Sequence, residues 1–151
     1  MPDTNSHVTL RPAHGAREYP RLVEIWRSAV RATHDFLDEA DFARIEGNLA
    51  SLYFPAVELI VAQREGAAVG FAGVADGNLE MLFVSDEARG MGIGSRLLAE
   101  AVKSHGVTKV DVNEQNLNGL GFYLSRGFVQ IGRSELDGDG RPYPILHLAL
   151  A

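Results

Sequence analysis

The chain has 151 residues, 46% of them hydrophobic, which is the size of one ordinary domain with a continuous core. It contains no cysteine, so disulfides, thiolate metal ligands and a cysteine nucleophile are excluded. The formal net charge of -6 argues against broad electrostatic attraction to nucleic acid or to an anionic membrane. We therefore expect a single domain over residues 1–151 with neither a nucleic-acid partner nor a membrane partner.

The first residues do not resemble a targeting segment. MPDTNSHVTLRPA lacks a basic stretch followed by an apolar one, and no later stretch is long and uncharged enough to span a bilayer. A cytoplasmic protein is the expectation from this pattern. Residues 1–7 are expected to form a flexible tail before a short strand over residues 8–11.

Two helices are predicted in the first third of the chain. Between residues 18 and 30, apolar residues recur at helical spacing. A second helix is expected to begin near Asp38, because Asp38 followed by Asp41 resembles an acidic N-cap arrangement. The buried face of this second helix is expected to carry Phe42, Ile45 and Leu49.

The middle of the chain changes to short runs that are typical of strands. ELIVAQ, AVGFAGVA and NLEMLFV follow one another, and Asp76-Gly77 before the third run is a hairpin signal. This pattern predicts an antiparallel meander. A helix over residues 93–104 and the strand VTKVDVN come next, which indicates a right-handed crossover between two parallel strands.

The last third predicts one more helix and a closing hairpin. NLNGLGFYLSR is expected to be helical, and FVQIGRSEL is expected to pair with PYPILHLAL across LDGDGR. The LDGDG segment is interpreted as a turn, because it lacks the ligand pattern of a calcium loop. The whole order predicts a mixed α/β fold with one parallel connection in a largely antiparallel sheet, and no metal site.

Three glycines alternate at positions 90, 92 and 94, directly before the helix over residues 93–104. Such a turn lets backbone N–H groups converge at a helix N-terminus, where they can bind a phosphate. Arg89 could add a charge-assisted contact, and Arg96 is a second candidate. The alternative is a tight turn whose glycines only provide clearance.

Two well-known phosphate-binding loops have glycine patterns that can be compared with this segment. The Walker form is excluded, because no lysine follows a glycine at the required place. The dinucleotide form fits Gly90 and Gly92, with Asp111 at the distance expected of an acidic ribose ligand. Too little chain follows Asp111 for the further parallel crossovers of that fold, so this interpretation is disfavoured.

Two motifs in order resemble the GCN5-related N-acetyltransferase (GNAT) superfamily. The pyrophosphate-binding pattern [RQ]-x-x-G-x-[GA] is matched by Arg89, Gly92 and Gly94. The second motif is matched by Asn116, Gly119, Phe122, Tyr123, Gly127 and Phe128. Further short segments are similar to a bacterial subgroup of these enzymes: ATHDFL, NEQN and GRPYPILHL.

The resemblance covers essentially the whole chain and implies the acyl-CoA N-acyltransferase fold. In that fold a mostly antiparallel sheet contains two splayed parallel strands and is flanked by about four helices. The strands NLEMLFV and VTKVDVN would form the gap that holds the pantetheine arm of acetyl-CoA, the expected cosubstrate. The residues expected to bind acetyl-CoA are Leu82, Phe83, Val84, Arg89, Gly90, Met91, Gly92, Ile93, Gly94, Ser95, Asn116, Gly119, Phe122 and Tyr123.

The resemblance implies acetyl transfer to an amine, which requires a base and a stabilised leaving thiolate. Glu80 is the first candidate for the base, and alternation along NLEMLFV predicts that it faces away from Leu79, Met81 and Phe83. Tyr123 matches the general acid of the family. A phenol is a weaker acid than a thiol by about 2 kcal/mol, so a hydrogen bond to the thiolate is a sufficient role. The alternative for Glu80 is a solvated strand face.

The acceptor is expected to be a small-molecule or peptide amine. His34 could serve as a base or bind the acceptor, or it could be a loop histidine bonded to backbone or to Asp35. Phe36 and Tyr143 are candidates for the acceptor pocket, and His147 is interpreted as structural. A binding module that senses acetyl-CoA without turnover is the alternative function, and a homodimer is one oligomeric state that the resemblance leaves open.

Overall fold

The computed structural model describes residues 7–151, so the predicted tail lies, except for His7, outside the described residues. The described chain contains a seven-stranded sheet and four α-helices. The helices are α1 (Tyr19–Thr33), α2 (Glu39–Asn48), α3 (Ile93–His105) and α4 (Leu117–Ser125). The strands are β1 (Val8–Pro12), β2 (Glu58–Arg64), β3 (Ala67–Ala75), β4 (Asn78–Val84), β5 (Lys109–Asn113), β6 (Phe128–Ser134) and β7 (Ile145–Leu150).

The sheet has the order β1-β2-β3-β4-β5-β7-β6, and every neighbouring pair is antiparallel except β4 with β5. This confirms the mixed fold with one parallel connection. The final hairpin also forms, but its strands are shorter than predicted and β7 inserts between β5 and β6. Among residues 7–151, no helix combines the length and apolar character needed to cross a bilayer.

The parallel strands β4 and β5 separate soon after they meet. Their pairing consists of Asn78 with Lys109 and Leu79 with Val110. Beyond Leu79, the edge of β4 that faces β5 pairs with no other strand of residues 7–151. The separation opens a cleft in the middle of the sheet.

A β-bulge in β4 changes which side chains share a face. Gly73 pairs with Met81, whereas its neighbour Val74 pairs with Leu79, so Glu80 is the extra residue. Leu79 packs in the core beneath α3, while Met81 packs in the core beneath α1 and α2. The prediction that Leu79 shares a face with Met81 and Phe83 is therefore wrong, because strict alternation does not survive a bulge.

Helix α1 buries the apolar side chains that recur at helical spacing, namely Leu22, Ile25, Trp26, Ala29 and Val30. All of them except Ala29 belong to a core cluster with α2 and the sheet. Trp26 contacts Phe42 of α2 with ring centroids 4.8 Å apart. The side chain of Asp38 caps α2 by accepting a 2.7 Å hydrogen bond from the backbone N–H of Asp41, as predicted. Leu49 is buried, but it begins a π-helical turn (Leu49–Tyr53) after α2 rather than belonging to the helix itself.

Candidate active site

A cleft of about 530 Å³ lies where β4 and β5 separate. Its walls come from the outer half of β4, from β5, from the glycine turn before α3 and from α4. Glu80, His34 and Tyr123 all line it. The residues predicted to bind acetyl-CoA line it as well, except Met91, which packs against the core instead.

The glycine turn presents the N-terminus of α3 to the cleft. Gly90 and Gly92 have φ angles of 82° and 76°, the left-handed region that side chains disfavour. Gly92 is the N-cap of α3 and supplies no side-chain cap. The first N–H groups of the helix therefore lack helical partners and carry the positive end of its dipole, which favours an anion.

The basic groups around this turn differ from the sequence expectation. Arg89 lines the cleft and pairs with Asp86 at 3.1 Å. Arg96 instead donates a 2.7 Å hydrogen bond to the carbonyl of Val8 in β1, so it is directed away from the cleft. The expectation that Arg96 would assist phosphate binding is not supported by this placement.

Arg126 is a cleft residue that sequence reasoning missed. Its guanidinium donates to the Ser95 hydroxyl at 2.5 Å, which joins the end of α4 to the start of α3. It also lies over the Phe122 ring, 4.8 Å from the centroid. The available signal was the spacing of four residues between Phe122 and Arg126, which places both on one side of a helix.

The first turn of α4 explains the spacing between Asn116 and Gly119. The Asn116 carboxamide oxygen accepts a 3.0 Å hydrogen bond from the Gly119 N–H and caps the helix. A Cβ atom at position 119 would lie 2.9 Å from the Asn116 Cγ, which is too close. Gly119 therefore permits the cap. Asn116 and Gly119 both line the cleft.

Tyr123 is buried at the base of the cleft, and only 8% of the residue is exposed. Its ring contacts Phe122 and Phe128 with centroids 5.2 and 5.8 Å away. Burial raises the pKa of its phenol above the ordinary value of 10. The hydroxyl is consequently protonated at neutral pH and can donate a hydrogen bond to a group in the cleft.

His34 is the C-cap of α1 and lines the cleft. Its Nδ1 lies 2.7 Å from the Thr33 hydroxyl, which itself donates to the Ala29 carbonyl at 2.7 Å. Because that hydroxyl proton is engaged, the arrangement favours a proton on Nδ1 and a free lone pair on Nε2. Burial lowers the pKa of the imidazole, so His34 is neutral at pH 7 and has the capacity to accept a proton.

Phe36 and Tyr143 lie beside this region but are not among the described residues that line the cleft. Their rings are 6.4 Å apart, and Phe36 also contacts the His34 ring at 5.2 Å. The Tyr143 hydroxyl donates a 2.5 Å hydrogen bond to the buried carboxylate of Asp41. The Tyr143 hydroxyl thus donates its hydrogen bond to a residue of the protein.

Asp41 is a second residue whose role was missed. Besides Tyr143, its carboxylate accepts from Arg141 at 3.1 Å and from Arg44 at 3.4 Å. The Tyr143 hydrogen bond, followed by those of the two arginines, holds the pKa of Asp41 below its usual value. This cluster ties the β6–β7 loop to α2. We call it the loop clamp: Asp41, Arg44, Arg141 and Tyr143.

Asp111 does not serve the dinucleotide interpretation. Its carboxylate lies 2.6 Å from the Nδ1 of His147, and the Nε2 of His147 lies 2.7 Å from the Ser134 hydroxyl. The three residues form a cross-strand network over β5, β7 and β6. The mixed sheet also lacks the run of parallel crossovers that a dinucleotide fold needs.

Comparisons with known proteins agree with this arrangement. The family model described as "Acetyltransferase (GNAT) domain" matches residues 30–143. The chain belongs to the GNAT acetyltransferase family. The peptidyl-lysine N-acetyltransferase YjaB of Salmonella typhimurium is 41% identical over 132 residues, which cover 87% of this chain and 90% of that protein.

Solved structures of other GNAT proteins have the same fold. The solution structure of apo-form YjaB from Escherichia coli superposes with a TM-score of 0.87 at 36% identity, over 95% of this chain and 97% of that one. PaiA N-acetyltransferase from Thermoplasma acidophilum, solved in complex with coenzyme A, has a TM-score of 0.71 at 20% identity, over 93% and 97%. The sequence-based expectation of a GNAT fold and of the YjaB-like subgroup is confirmed. This chain is a GNAT N-acetyltransferase with acetyl-CoA as its cosubstrate.

Proposed function

We propose that this chain moves the acetyl group of acetyl-CoA directly to a lysine amine of a peptide or protein, in a ternary complex within one cytoplasmic domain. The observation that carries this proposal is the cleft between β4 and β5, which places Glu80, His34 and Tyr123 around one gap. The names of the YjaB relatives as peptidyl-lysine N-acetyltransferases support the choice of acceptor. An acceptor of this kind also suits a chain with net charge -6, because lysine-rich segments are cationic.

Acetyl-CoA would lie along the open edge of β4. The backbone of Leu82, Phe83 and Val84 would pair with the pantetheine arm, since β4 has no strand partner there. The N–H groups from Gly90 to Ser95 would hold the pyrophosphate, with Arg89 as the adjacent cation. Asn116 would bond to the pantetheine arm through the amide group that its cap does not use.

The amine must lose its proton before it attacks the thioester. A lysine amine has a pKa of about 10.4, so roughly one molecule in two or three thousand is neutral at pH 7. Glu80 would accept this proton, directly or through water, and His34 would be the second proton acceptor in the cleft. The nitrogen then forms the new C–N bond and releases its second proton to water, and an N–H group of β4 would stabilise the oxyanion.

The C–S bond breaks as the tetrahedral intermediate collapses, and the leaving sulfur carries the negative charge. Tyr123 would donate its phenolic hydrogen bond to this sulfur. Because burial raises the phenol pKa, full proton transfer is more uphill than for an exposed tyrosine. A hydrogen bond that strengthens as charge develops is therefore the proposed role.

Ligand-dependent stability tests the cofactor part of this proposal. The thermal midpoint should rise with acetyl-CoA and with CoA, but not with NAD. A ligand at 100 times its Kd adds about 2.7 kcal/mol to stability. A rise with NAD alone, or with none of the three, would overturn the proposal.

A further inference from the structure

A second cavity of about 440 Å³ lies beside the cleft, between β4 and the segment of α2 and the π-helical turn. Trp26, Leu49 and Tyr53 form one side of it, and Met81 and Phe83 form the other. Glu80 is the one charged residue among the described side chains that line it. The cavity is thus apolar with a carboxylate at one edge.

The two cavities meet at β4. Glu80, Met81 and Phe83 line both of them. The bulge at Glu80 contributes to this shared wall. It lies between Leu79, which packs in the core beneath α3, and Met81, which packs in the core beneath α1 and α2. Glu80 therefore borders both cavities, and its carboxylate is available to a group at the boundary between them.

We infer that the second cavity binds the stem of the acceptor, and that this stem is apolar and uncharged, with its amine at Glu80. The inference rests on the proposed acetyl transfer and specifies its acceptor class. The carboxylate complements the incoming ammonium, and the aromatic and aliphatic walls complement a methylene chain. The aliphatic stem of a lysine side chain has this chemistry, and so does a simple alkylamine.

Binding in the second cavity would be weaker for an acceptor whose stem carries a second charge. Burying an ammonium or carboxylate among apolar walls is costly unless a partner is present. Tyr53 is the other polar side chain in the lining, and its hydroxyl already donates to Asp139 at 3.3 Å. Glu80 is occupied by the reacting amine. Short polyamines and amino acids that place a charge close to the reacting amine would therefore be poor acceptors.

The loop clamp holds one wall of this cavity in place. Arg44 in α2 pairs with Asp139 of the β6–β7 loop at 2.6 Å, and the same carboxylate accepts from Tyr53. The segment that carries Leu49 and Tyr53 is thereby tied to the loop. The cavity is a built feature of the fold, since its wall is fixed by polar contacts outside it.

An isosteric pair of acceptors tests the inference. n-Butylamine and propane-1,3-diamine have the same number of non-hydrogen atoms, and they differ by a terminal methyl or ammonium group. We expect kcat/KM to be at least about tenfold higher for n-butylamine, and a blocked lysine peptide to be acetylated as well. Equal or better use of the diamine would overturn the inference.

A variant that fills the second cavity provides a second test of the inference. Ala75 lines the second cavity and not the cleft, so Ala75→Leu should lower kcat/KM for n-butylamine by about tenfold and leave ethylamine almost unchanged. Ala67→Leu, at an exposed position of β3, is the matched control and should change neither. An equal loss for both amines in Ala75→Leu would overturn the inference. Thermal stabilisation by acetyl-CoA with no turnover of any amine would instead refute the proposed function.

Discussion

The surroundings of Tyr123 determine which role this side chain can take in the proposed reaction. The phenol is buried beside two aromatic rings, and its pKa is raised by desolvation. A group with this environment keeps its proton at every physiological pH. It is suited to stabilise a developing thiolate and unsuited to act as a base.

Tyr123→Phe should lower kcat by roughly 10²- to 10⁴-fold, because it removes the donor to the leaving sulfur. The phenylalanine ring retains the contacts with Phe122 and Phe128, so the affinity for acetyl-CoA should change little. Steady-state kinetics with isothermal titration of acetyl-CoA measures both quantities. Unchanged kcat in this variant would remove Tyr123 from the mechanism.

The two candidate bases can be separated by a matched pair of variants. Glu80→Gln should reduce kcat/KM by about 10²-fold or more, whereas His34→Gln should cost less than about tenfold. Both variants preserve size and polarity, and acetyl-CoA binding serves as the control.

The pH profile gives an independent test of this ranking. Because burial lowers the pKa of His34, a mechanism that needs neutral His34 would lose activity only as the pH falls below about 6.5. An acid limb in that range that His34→Gln abolishes, together with a small effect of Glu80→Gln, would assign the base to His34.

At the scale of elements, the first turn of α4 depends on the hydrogen bond between Asn116 and Gly119. Gly119→Ala should displace the Asn116 cap, because the added Cβ lies too close to Cγ. Asn116→Ala removes the same hydrogen bond from the other side. Each variant should lower the free energy of unfolding by about 0.5 to 2 kcal/mol and weaken acetyl-CoA binding.

Gly121→Ala is the matched control for these two variants, because a Cβ atom at position 121 meets nothing within 4 Å. Urea unfolding and cofactor titration measure both effects. If Gly119→Ala were as stable as Gly121→Ala, the account of the cap would be contradicted.

Most elements could be predicted from periodicity, and the exceptions have physical causes. The glycine turn and α3 follow from local sequence patterns, whereas the splaying of β4 and β5 was an expectation from the resemblance to the GNAT superfamily. The bulge at Glu80 depends on how β3 and β4 pair, and a single strand carries no sign of it. The insertion of β7 between β5 and β6 likewise depends on pairing between strands that are distant along the chain, which local patterns do not specify.

At the scale of the whole molecule, polar contacts between remote segments hold α2 and the β6–β7 loop together. Asp41 joins Tyr143 and Arg141, about one hundred residues away along the chain. The sequence pattern placed Asp41 beside the Asp38 cap of α2, where its N–H donates to Asp38, and gave no sign of the long-range partners of its carboxylate. Sequence patterns report neighbours along the chain, so the loop clamp could not be predicted.

A second polar contact links β1 to the beginning of α1, and it predicts an effect of pH on stability. Arg11 donates two hydrogen bonds to Glu18 at 2.6 and 2.9 Å, and the His14 N–H donates a third. These contacts, led by the Arg11 hydrogen bond, lower the pKa of Glu18 from 4.5 to about 2. Since the folded state lowers a carboxylate pKa, this stabilisation is present above pH 4.5 and is lost as the pH falls toward 2.

Glu18→Gln should therefore be less stable than the unsubstituted protein at neutral pH, and the difference should shrink as the pH falls through this range. Urea unfolding at several pH values measures the difference. Glu65→Gln, in the exposed β2–β3 turn, is the control and should show a smaller difference. A gap between Glu18→Gln and the unsubstituted protein that stays constant down to pH 2 would contradict the assignment.

The central claim is that the cleft between β4 and β5 transfers acetyl from acetyl-CoA to a lysine amine. The most direct measurement follows free CoA thiol and peptide acetylation together, with a blocked lysine peptide as acceptor. The account predicts equal amounts of the two products, dependence on the peptide, and a loss of roughly 10²-fold or more in Tyr123→Phe. Acetyl-CoA that binds and stabilises the protein without peptide-dependent thiol release would contradict it and favour a binding module.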